Sequence, residues 1–477
     1  MEQHTICLMN DSFPPIIDGV ANAVVNYAAN IEQKLGHAVV VTPAMPGTDD
    51  SIYPFPVLRY PSIDTRKLVG YVTGYPFSPE VVRRLNDEHV ALMHTHCPVT
   101  SMLLARSLRG VIDAPLVFTY HTKYDIDIAK AVHSKLLQES AIRALVQNIS
   151  ACDEIWVVSR GAGENMRSLG YEGDYIVMEN GVDVPRGQVE PSLIDHVTAP
   201  YDLPAGVPVF LFVGRMMWYK GLRIILDALK ALREGGTEFR MVFVGDGADG
   251  AEVRTYTKEL GLEDRCFFTG AITEREEIRA WYCRADLFLF PSTFDTNGLV
   301  VREAAACGTA TVMVAGSCAA EGVTDGRNGF FIEENADSLA AKLRELCARP
   351  EAMTRVGEHA CDELYISWET AVRRAYERYE IVIDNCRSGR YPRHNKPVDD
   401  FLKTQGDLME TFARINSVGD ELRSDMEAER EEVREKLRHA QSEFKRGRDE
   451  YVERRWEDLD RRRNELLSIL DTTDRYL

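Results

Sequence analysis

The chain has 477 residues and a formal net charge of −19 at pH 7, so we expect two or more domains and no general binding to nucleic acid. Its ten cysteines include no Cys-x-x-Cys pair, which argues against a zinc ribbon or a disulfide framework and favours a cytoplasmic protein with reduced thiols. The first residues contain no basic n-region and no apolar run reaches about 18 residues, so neither a signal peptide nor a membrane span is predicted.

Short apolar runs alternate with helical patterns in the first part of the chain. Such alternation is typical of a parallel sheet covered by helices. The predicted strands are residues 5–9, 38–42, 91–94, 116–120, 155–159 and 175–178.

A polar, proline-containing segment at residues 183–208 interrupts this pattern, which then resumes in a second phase. The strands predicted there are residues 209–213, 240–244, 266–269, 286–290 and 311–314. We therefore predict an α/β fold with two doubly wound, Rossmann-like domains facing a cleft, residues 1–190 and 191–385. A last helix is predicted at 365–385. Ligands of such folds bind at the carboxyl ends of the strands, and the cleft is the expected site.

Several chemically suggestive residues follow predicted strands of the first domain. Gly19 opens a helix and could bring backbone amides close to a phosphate, although an ordinary loop glycine is an equal alternative. His121 follows a strand and could contact a sugar hydroxyl, although a histidine at a strand end is more often structural, and Tyr124 lies three residues later. His94 and His96 also lie at a strand end, where we interpret them as packing or acceptor-side residues because two histidines without a carboxylate are a weak metal signature.

The second domain carries two cations and two carboxylates after its strands. Arg215 and Lys220 follow the first strand five residues apart, a spacing that allows both to reach one diphosphate. Asp295 lies on a loop before a short helix and Glu303 lies inside that helix, so both can accept hydrogen bonds from hydroxyls. The backbone amides at the helix start suit a phosphate; they belong to Asn297, Gly298 and Leu299.

These motifs together resemble the retaining glycosyltransferases of family four, which have the two-domain GT-B fold. The resemblance spans about residues 5–385 and is closest to bacterial 1,2-diacylglycerol 3-glucosyltransferases. The motifs that carry it are Asp11-Ser-Phe-Pro-Pro-x-x-Asp-Gly-Val20, His94-Thr-His96-x-Pro98, Thr119-Tyr-His-Thr-x-Tyr124, Gly214-Arg-x-x-x-x-Lys220, Val244-Gly-Asp-Gly247 and Phe290-Pro-Ser-x-x-Asp-Thr-x-Gly-Leu-x-x-x-Glu-Ala304.

The resemblance implies a hexosyltransferase that uses a nucleoside diphosphate sugar, with UDP-glucose expected, and a lipid or sugar acceptor such as diacylglycerol. Arg215 and Lys220 would hold the diphosphate, with Gly19 against the phosphates and Glu303 accepting from the ribose. No cofactor and no metal are expected, because the two cations can stabilise the leaving group. The resemblance also allows a location at the inner face of the membrane, with peripheral contact.

The transferred sugar would be held by Asp295, by the amides of residues 297–299 and by His121, so the predicted catalytic residues are Arg215, Lys220, Asp295 and His121. The first acidic position is commonly Glu in this family, whereas here it is the shorter Asp295. Asp in place of Glu keeps the negative charge at this position. Because the Asp side chain is one methylene shorter, the identity of the transferred sugar is less certain than the fold.

The region 398–477 is predicted to be a long, charged helix with an apolar stripe. It could form a coiled coil between two copies, fold back on the catalytic unit or lie along a membrane; the mixed charges favour the first two over the third. Two other functions remain open for the chain, a nucleotide-sugar epimerase of the same fold and a non-catalytic scaffold acting through this tail.

Overall fold

The computed structural model describes residues 3–16, 18–65, 72–131, 134–391 and 402–409. Within these ranges the chain forms two parallel sheets, each covered by helices. The predicted α/β class with two Rossmann-like domains is confirmed. Apolar side chains fill each domain because the strands are buried on both faces, as all five residues of Val209–Val213 are.

The first domain is built on a seven-stranded sheet with the order β3-β2-β1-β6-β7-β8-β9, in which all neighbouring pairs are parallel. Two further strands, β4 and β5, form a small antiparallel pair. The strands are β1 (Thr5–Met9), β2 (His37–Pro43), β3 (Val57–Tyr60), β4 (Ser62–Ile63), β5 (Thr73–Gly74), β6 (Val90–Thr95), β7 (Leu116–Tyr120), β8 (Glu154–Val157) and β9 (Ile176–Val177).

The helices of the first domain begin at recognisable caps. Asp18 caps the first helix by accepting from the backbone N–H groups of Val20 and Ala21 at 2.9 and 2.7 Å, and Ser78 and Ser159 cap later ones. The helices are Gly19–Lys34, Pro79–Asp87, Thr100–Ile112, Tyr124–Ala131, Lys135–Ile149 and Arg160–Ser168.

The second domain is built on a six-stranded parallel sheet with the order β12-β11-β10-β13-β14-β15. Its strands are β10 (Val209–Val213), β11 (Arg240–Val244), β12 (Cys266–Gly270), β13 (Leu287–Phe290), β14 (Thr311–Val314) and β15 (Phe330–Ile332). Because β10 lies beside β13, the loops that follow these two strands emerge side by side. The candidate site lies where these two loops meet.

Helices cover the sheet of the second domain, and two short 3-10 turns follow its strands β10 and β14. The helices are Leu222–Glu234, Gly250–Glu259, Arg275–Arg284, Leu299–Ala306, Ala336–Cys347 and Pro350–Glu363, and the turns are Trp218–Lys220 and Cys318–Ala320. The predicted linker 183–208 contains one more helix, Pro191–Thr198, which the sequence reading missed because it buries no side chain.

The last long helix, Trp368–Arg387, packs against the first domain. The hydroxyl of Tyr376 accepts from the backbone N–H of His4 at 2.9 Å, and Arg378 forms an ion pair with Glu154 at 2.6 Å. The helix begins three residues later and ends two residues later than the predicted 365–385. It joins the end of the second domain's chain to the first domain.

Residues 402–409 are helical and contact the first domain. Leu402 and Met409 are buried, and the backbone N–H of Ser78 donates to the Met409 sulfur at 3.2 Å. The rest of the predicted extension at 398–477 lies outside the described residues. The predicted coiled coil and dimer contact fall on those same residues. No helix in the described ranges is long and apolar enough to cross a membrane.

Candidate active site

Lys220 and Asp295 meet where the loops after β10 and β13 lie side by side. The Lys220 ammonium forms a salt bridge and hydrogen bond with Asp295 Oδ1, and the hydroxyl of Ser292 donates to Asp295 Oδ2 at 2.6 Å. The two charged side chains are 10% and 23% exposed. Both oxygens of the shorter Asp295 are therefore occupied, and the carboxylate is held in one orientation.

Arg215 stands apart from this pair. It follows β10 and Gly214, its side chain is exposed, and it forms no ion pair with any residue in the described ranges. The structure thus brings one of the two predicted diphosphate cations into a fixed contact and leaves the other open to solvent. An exposed guanidinium at this edge remains available to an anionic ligand.

The helix Leu299–Ala306 starts without a side-chain cap. Gly298 occupies the cap position in the left-handed region at φ 61°, and a Cβ there would lie 2.6 Å from the Ala319 Cβ. The side-chain nitrogen of Asn297 is buried and has no hydrogen-bond partner among the described residues. Unpaired donors at a helix N-terminus favour an anion or an oxygen acceptor.

Glu303 lies on this helix in a separate hydrogen-bond network. The hydroxyl of Tyr282 donates to Glu303 Oε2 at 3.1 Å, and an Arg275 nitrogen lies 4.0 Å from Oε1. Burial raises the pKa of Glu303, and Arg275 and Tyr282 act in the opposite direction. Asp295 and Glu303 share no partner in the described part of the chain, so the geometry fits two acceptors for two different hydroxyl groups.

Gly19 is the first residue of its helix, and a Cβ there would meet nothing within 4 Å. The next two backbone N–H groups, those of Val20 and Ala21, are already bound by Asp18. Fewer backbone N–H groups are therefore available to bind a phosphate near Gly19 than the sequence predicted. The sequence analysis did not recognise Asp18 as the cap of this helix. The open space beside Gly19 fits the close approach of a ligand.

The three histidines form a buried cluster because β6 and β7 are neighbours in the sheet. His94 bonds the hydroxyls of Tyr379 at 2.5 Å and Thr119 at 2.7 Å, and His96 Nδ1 lies 2.9 Å from His121 Nε2. Burial lowers the pKa of all three, that of His121 to about 3. The imidazoles are neutral at ordinary pH.

This burial corrects part of the acceptor-side expectation. His94 and His96 have no exposed surface, so their side chains are core residues that hold the strand ends together. Tyr124 is half-buried and packs edge-on against Tyr120 at 5.4 Å. Of the three residues expected to line the acceptor side, only Tyr124 reaches the surface.

The loop that carries Asp295 is also held by the first domain. Lys123 donates to the carbonyl oxygen of Thr293 at 3.1 Å, and the hydroxyl of Thr296 donates to the backbone carbonyl oxygen of His121 at 2.6 Å. The hydroxyl of Ser159 donates to the Thr296 carbonyl oxygen. His121 therefore lies at the contact between the two domains, next to the loop of Asp295.

Glu321 adds a second contact between the domains. Its carboxylate accepts from the backbone N–H groups of Arg160 and Gly161 at 2.7 and 2.6 Å, at the start of the helix Arg160–Ser168. Sequence reasoning missed this residue, because its partners lie 161 and 160 positions away. Sequence reasoning also missed Tyr282 and Arg275. Ser292 and Thr296 belong to a motif that was recognised, but no role was predicted for either residue.

Two protein-family models match the chain side by side. Residues 17–186 match the family described as Glycosyltransferase Family 4, and residues 197–362 match Glycosyl transferases group 1. The chain belongs to the family-four glycosyltransferases. The two matches coincide with the two domains, and the predicted resemblance is confirmed.

Curated relatives of this glycosyltransferase cover most of its length. The alpha-monoglucosyldiacylglycerol synthase of Streptococcus pneumoniae is 22% identical over 387 residues, covering 80% of this chain and 86% of the relative. The enzyme of the same name from Acholeplasma laidlawii is 25% identical over 369 residues, covering 74% and 91%. Both relatives therefore align across the two domains.

Solved structures support the GT-B fold of this glycosyltransferase. Sucrose-phosphate synthase from Thermosynechococcus elongatus superposes with a TM-score of 0.64 at 21% identity, covering 80% of this chain and all of that one. Anabaena HepE in complex with UDP-glucose gives a TM-score of 0.63 at 18% identity, covering 79% and 99%. At these identities the likeness shows the fold.

No group of three or more His, Cys, Asp or Glu side chains in the described ranges is arranged to hold a metal ion. The two carboxylates of the candidate site instead contact cations and hydroxyls, as Asp295 does with Lys220 and Ser292 and Glu303 does with Arg275 and Tyr282. The expectation that transfer needs no metal or other cofactor remains a prediction.

Proposed function

We propose that this glycosyltransferase moves glucose from UDP-glucose to the free hydroxyl of 1,2-diacylglycerol, with retention of the anomeric configuration. The observation that carries the donor half is the Asp295 carboxylate, fixed by Lys220 and Ser292 beside a helix start that no side chain caps. The acceptor half is supported by the two relatives named alpha-monoglucosyldiacylglycerol synthase, which align across both domains.

In this proposal each site residue has one task. Lys220 and Arg215 bind the diphosphate, with Gly19 against it and the amides of residues 297–299 beside it. Asp295 accepts from hydroxyls of the glucose ring, and Glu303 accepts from the ribose. His121 is neutral and lies beside the Asp295 loop, so it serves as a hydrogen-bond partner for the sugar and not as a charge.

We propose a front-side displacement as the mechanism. The bond from the anomeric carbon to the diphosphate oxygen breaks as the acceptor oxygen attacks from the same face, and the departing diphosphate oxygen takes the acceptor's proton. The transition state resembles an oxocarbenium ion, and the protein contributes positioning and charge stabilisation. Lys220 is suited to the developing negative charge on the diphosphate because it lies buried at the strand end.

Diacylglycerol is a membrane lipid, so the proposal places the enzyme at the inner face of the membrane in peripheral contact. A homodimer formed through the C-terminal extension is a separate proposal. Size-exclusion chromatography with light scattering on the full chain and on a chain ending at residue 410 tests it; equal oligomeric states would contradict it.

The experiment that tests the function incubates the full-length protein with UDP-[14C]glucose and dioleoylglycerol in mixed micelles. We expect UDP release together with a labelled glycolipid whose anomeric proton has the α configuration by NMR. A β product would overturn the retaining mechanism. Altered sugar nucleotide without glycolipid would indicate an epimerase, and no turnover with any sugar nucleotide would favour a scaffold. The same reaction in excess EDTA tests metal independence, and loss of activity there would contradict it.

A further inference from the structure

Tyr282 is fixed by contacts along its whole length. It lies on the helix Arg275–Arg284, its ring is buried, and it packs edge-on against Phe288 at 5.5 Å. Its backbone carbonyl accepts from the Thr309 hydroxyl at 2.6 Å. The hydroxyl therefore has a fixed position, from which it donates to Glu303 Oε2 at 3.1 Å.

Two charged residues on other segments of the chain, Arg275 and Asp183, surround Glu303. Arg275 lies 4.0 Å from Oε1 and holds Asp183 at 2.9 Å through its other terminal nitrogen. The pKa of Glu303 is raised by burial and by Asp183, and is lowered by Arg275 and by the Tyr282 hydrogen bond. Arg275 and Tyr282 thus both favour the ionised carboxylate.

We propose that Tyr282 is a positioning residue that fixes Glu303 Oε2 and thereby reserves Oε1 for a ribose hydroxyl, so that the site selects ribonucleoside over deoxyribonucleoside diphosphates. This inference rests on the proposed function. Among the described residues, Oε2 has a hydrogen-bond donor within 3.1 Å, whereas Oε1 has only the long contact to Arg275. An oxygen without a donor is the one that a ligand hydroxyl can reach.

Selection follows from the cost of an unpaired carboxylate oxygen. A ribose hydroxyl satisfies Oε1, whereas the deoxy compound leaves a largely buried carboxylate oxygen, on a side chain that is 17% exposed, without a hydrogen-bond donor. Without the Tyr282 hydroxyl, Glu303 Oε2 loses its hydrogen-bond donor, and either oxygen of the carboxylate can face the ribose. The carboxylate can then turn, and its ionised form is less favoured.

The decisive variant is Tyr282→Phe, which removes one hydroxyl and keeps the ring. Calorimetry would compare the binding of UDP and 2′-deoxyuridine 5′-diphosphate to the full-length protein. We expect the wild type to prefer UDP by about tenfold or more, the order of a hydrogen bond to a charged group, and Tyr282→Phe to lose most of that preference. Tyr256→Phe is the matched control, because its hydroxyl donates to Asp227 at 2.5 Å on the same domain.

A second readout is the pH dependence of the preference ratio. The phosphate groups titrate alike in both ligands, so the ratio isolates Glu303. As pH falls and Glu303 takes up a proton, the ratio falls. Arg275→Gln removes a cation that lowers the pKa of Glu303, so this fall is expected at higher pH than in the wild type.

Three results would overturn the inference or a part of it, each in a different way. UDP binding with an unchanged preference in Tyr282→Phe would overturn the positioning role alone. Failure of the wild type to bind UDP would overturn the proposed function and, with it, this inference. An unchanged pH dependence in Arg275→Gln would overturn the part assigned to Arg275.

Discussion

At the scale of single residues, the buried charges Lys220 and Asp295 are already paired with each other, whereas Arg215 is exposed. Lys220 and Asp295 are largely buried partners, and a buried charge that loses its partner is costly. Sequence reading placed both at the correct strand ends and assigned them separate tasks, because adjacent strand ends cannot be recognised without the strand order. Ser292, which fixes the second oxygen of Asp295, lay in the same motif without an assigned role.

Replacing the buried cation tests its role in transfer. We expect Lys220→Ala to lower the rate of glucosyl transfer by about a hundredfold or more, the scale of losing one charge-stabilising group. Lys230→Ala is the control, since Lys230 is exposed and forms an ion pair with Glu234 at 3.8 Å on the same helix. Initial rates with labelled donor provide the measurement, after circular dichroism shows that both variants are folded. A rate within twofold of wild type would contradict the assignment.

The buried histidines make stability sensitive to acid. The pKa of His121 is about 3 in the folded protein against a usual value of 6.5, so between these pH values only the unfolded chain binds the proton. The free energy of unfolding therefore falls as pH decreases from 6.5 towards 3.

We expect His121→Gln to reduce the loss of stability between about pH 6.5 and pH 5.5 by about 1 kcal/mol, the contribution of one such histidine. The exposed His196, replaced by Gln, is the control. Urea unfolding at the two pH values measures the effect. Equal losses in His121→Gln and the wild type would show that His121 is not held neutral by the fold.

At the scale of secondary structure elements, the buried strands were predictable, and of the short or partly exposed strands most were not, the edge strand Ile176–Val177 being an exception. All eleven strand predictions overlap observed strands, because fully apolar runs such as Val209–Val213 have no other way to bury both faces. The missed strands are short or partly exposed: Val57–Tyr60 at a sheet edge, Ser62–Ile63, Thr73–Gly74 and Phe330–Ile332. Their apolar runs are too brief to separate from loop sequence.

The segment 402–409 shows how backbone packing decides a contact that no sequence pattern indicates. Its Gly406 lies against the first domain so closely that a Cβ would be 2.0 Å from the Ser107 carbonyl oxygen. Gln405 also donates to the Pro76 carbonyl oxygen. Only glycine allows this approach.

Gly406→Ala should therefore weaken the docking of residues 402–409, by about 1–3 kcal/mol for a forced overlap. Hydrogen exchange of this segment measures the effect and should increase in the variant. Gly110→Ala is the control on the same interface, where a Cβ would meet nothing closer than Lys403 Cγ at 3.9 Å. Unchanged exchange in Gly406→Ala would contradict the observed packing.

At the scale of the whole molecule, the two glycosyltransferase domains are joined by the helix Trp368–Arg387 and by polar contacts at the site. Thr296 and Glu321 of the second domain bond backbone groups of the first. These contacts hold the Asp295 loop beside His121, so the relative position of the domains sets the geometry of the site.

Glu321 is the residue to replace in order to test this closure. Its carboxylate accepts two backbone N–H groups at a helix start, where negative charge is favoured. We expect Glu321→Ala to lower the transfer rate by about tenfold and to increase the radius of gyration in small-angle scattering. Glu321→Gln should show a smaller effect, since its one amide oxygen can still accept. The exposed Glu358 serves as the control, replaced by Ala. Scattering and rates equal to wild type would show that this contact does not hold the domains closed.

The sequence by itself determined the strand and helix alternation, the two-domain GT-B class and the positions of Lys220, Asp295 and Glu303 near strand ends and a helix start. These depend on local periodicity and on residue spacing within one motif, which a linear reading captures. Tertiary structure alone decided that Lys220 pairs with Asp295, that His94 and His96 are core residues, and that Tyr282 and Glu321 belong to the site's surroundings. Lys220 and Asp295 lie 75 positions apart, and His121 and Thr296 lie 175 apart, and only the order of strands in the sheets and the packing of the domains bring such distant residues together.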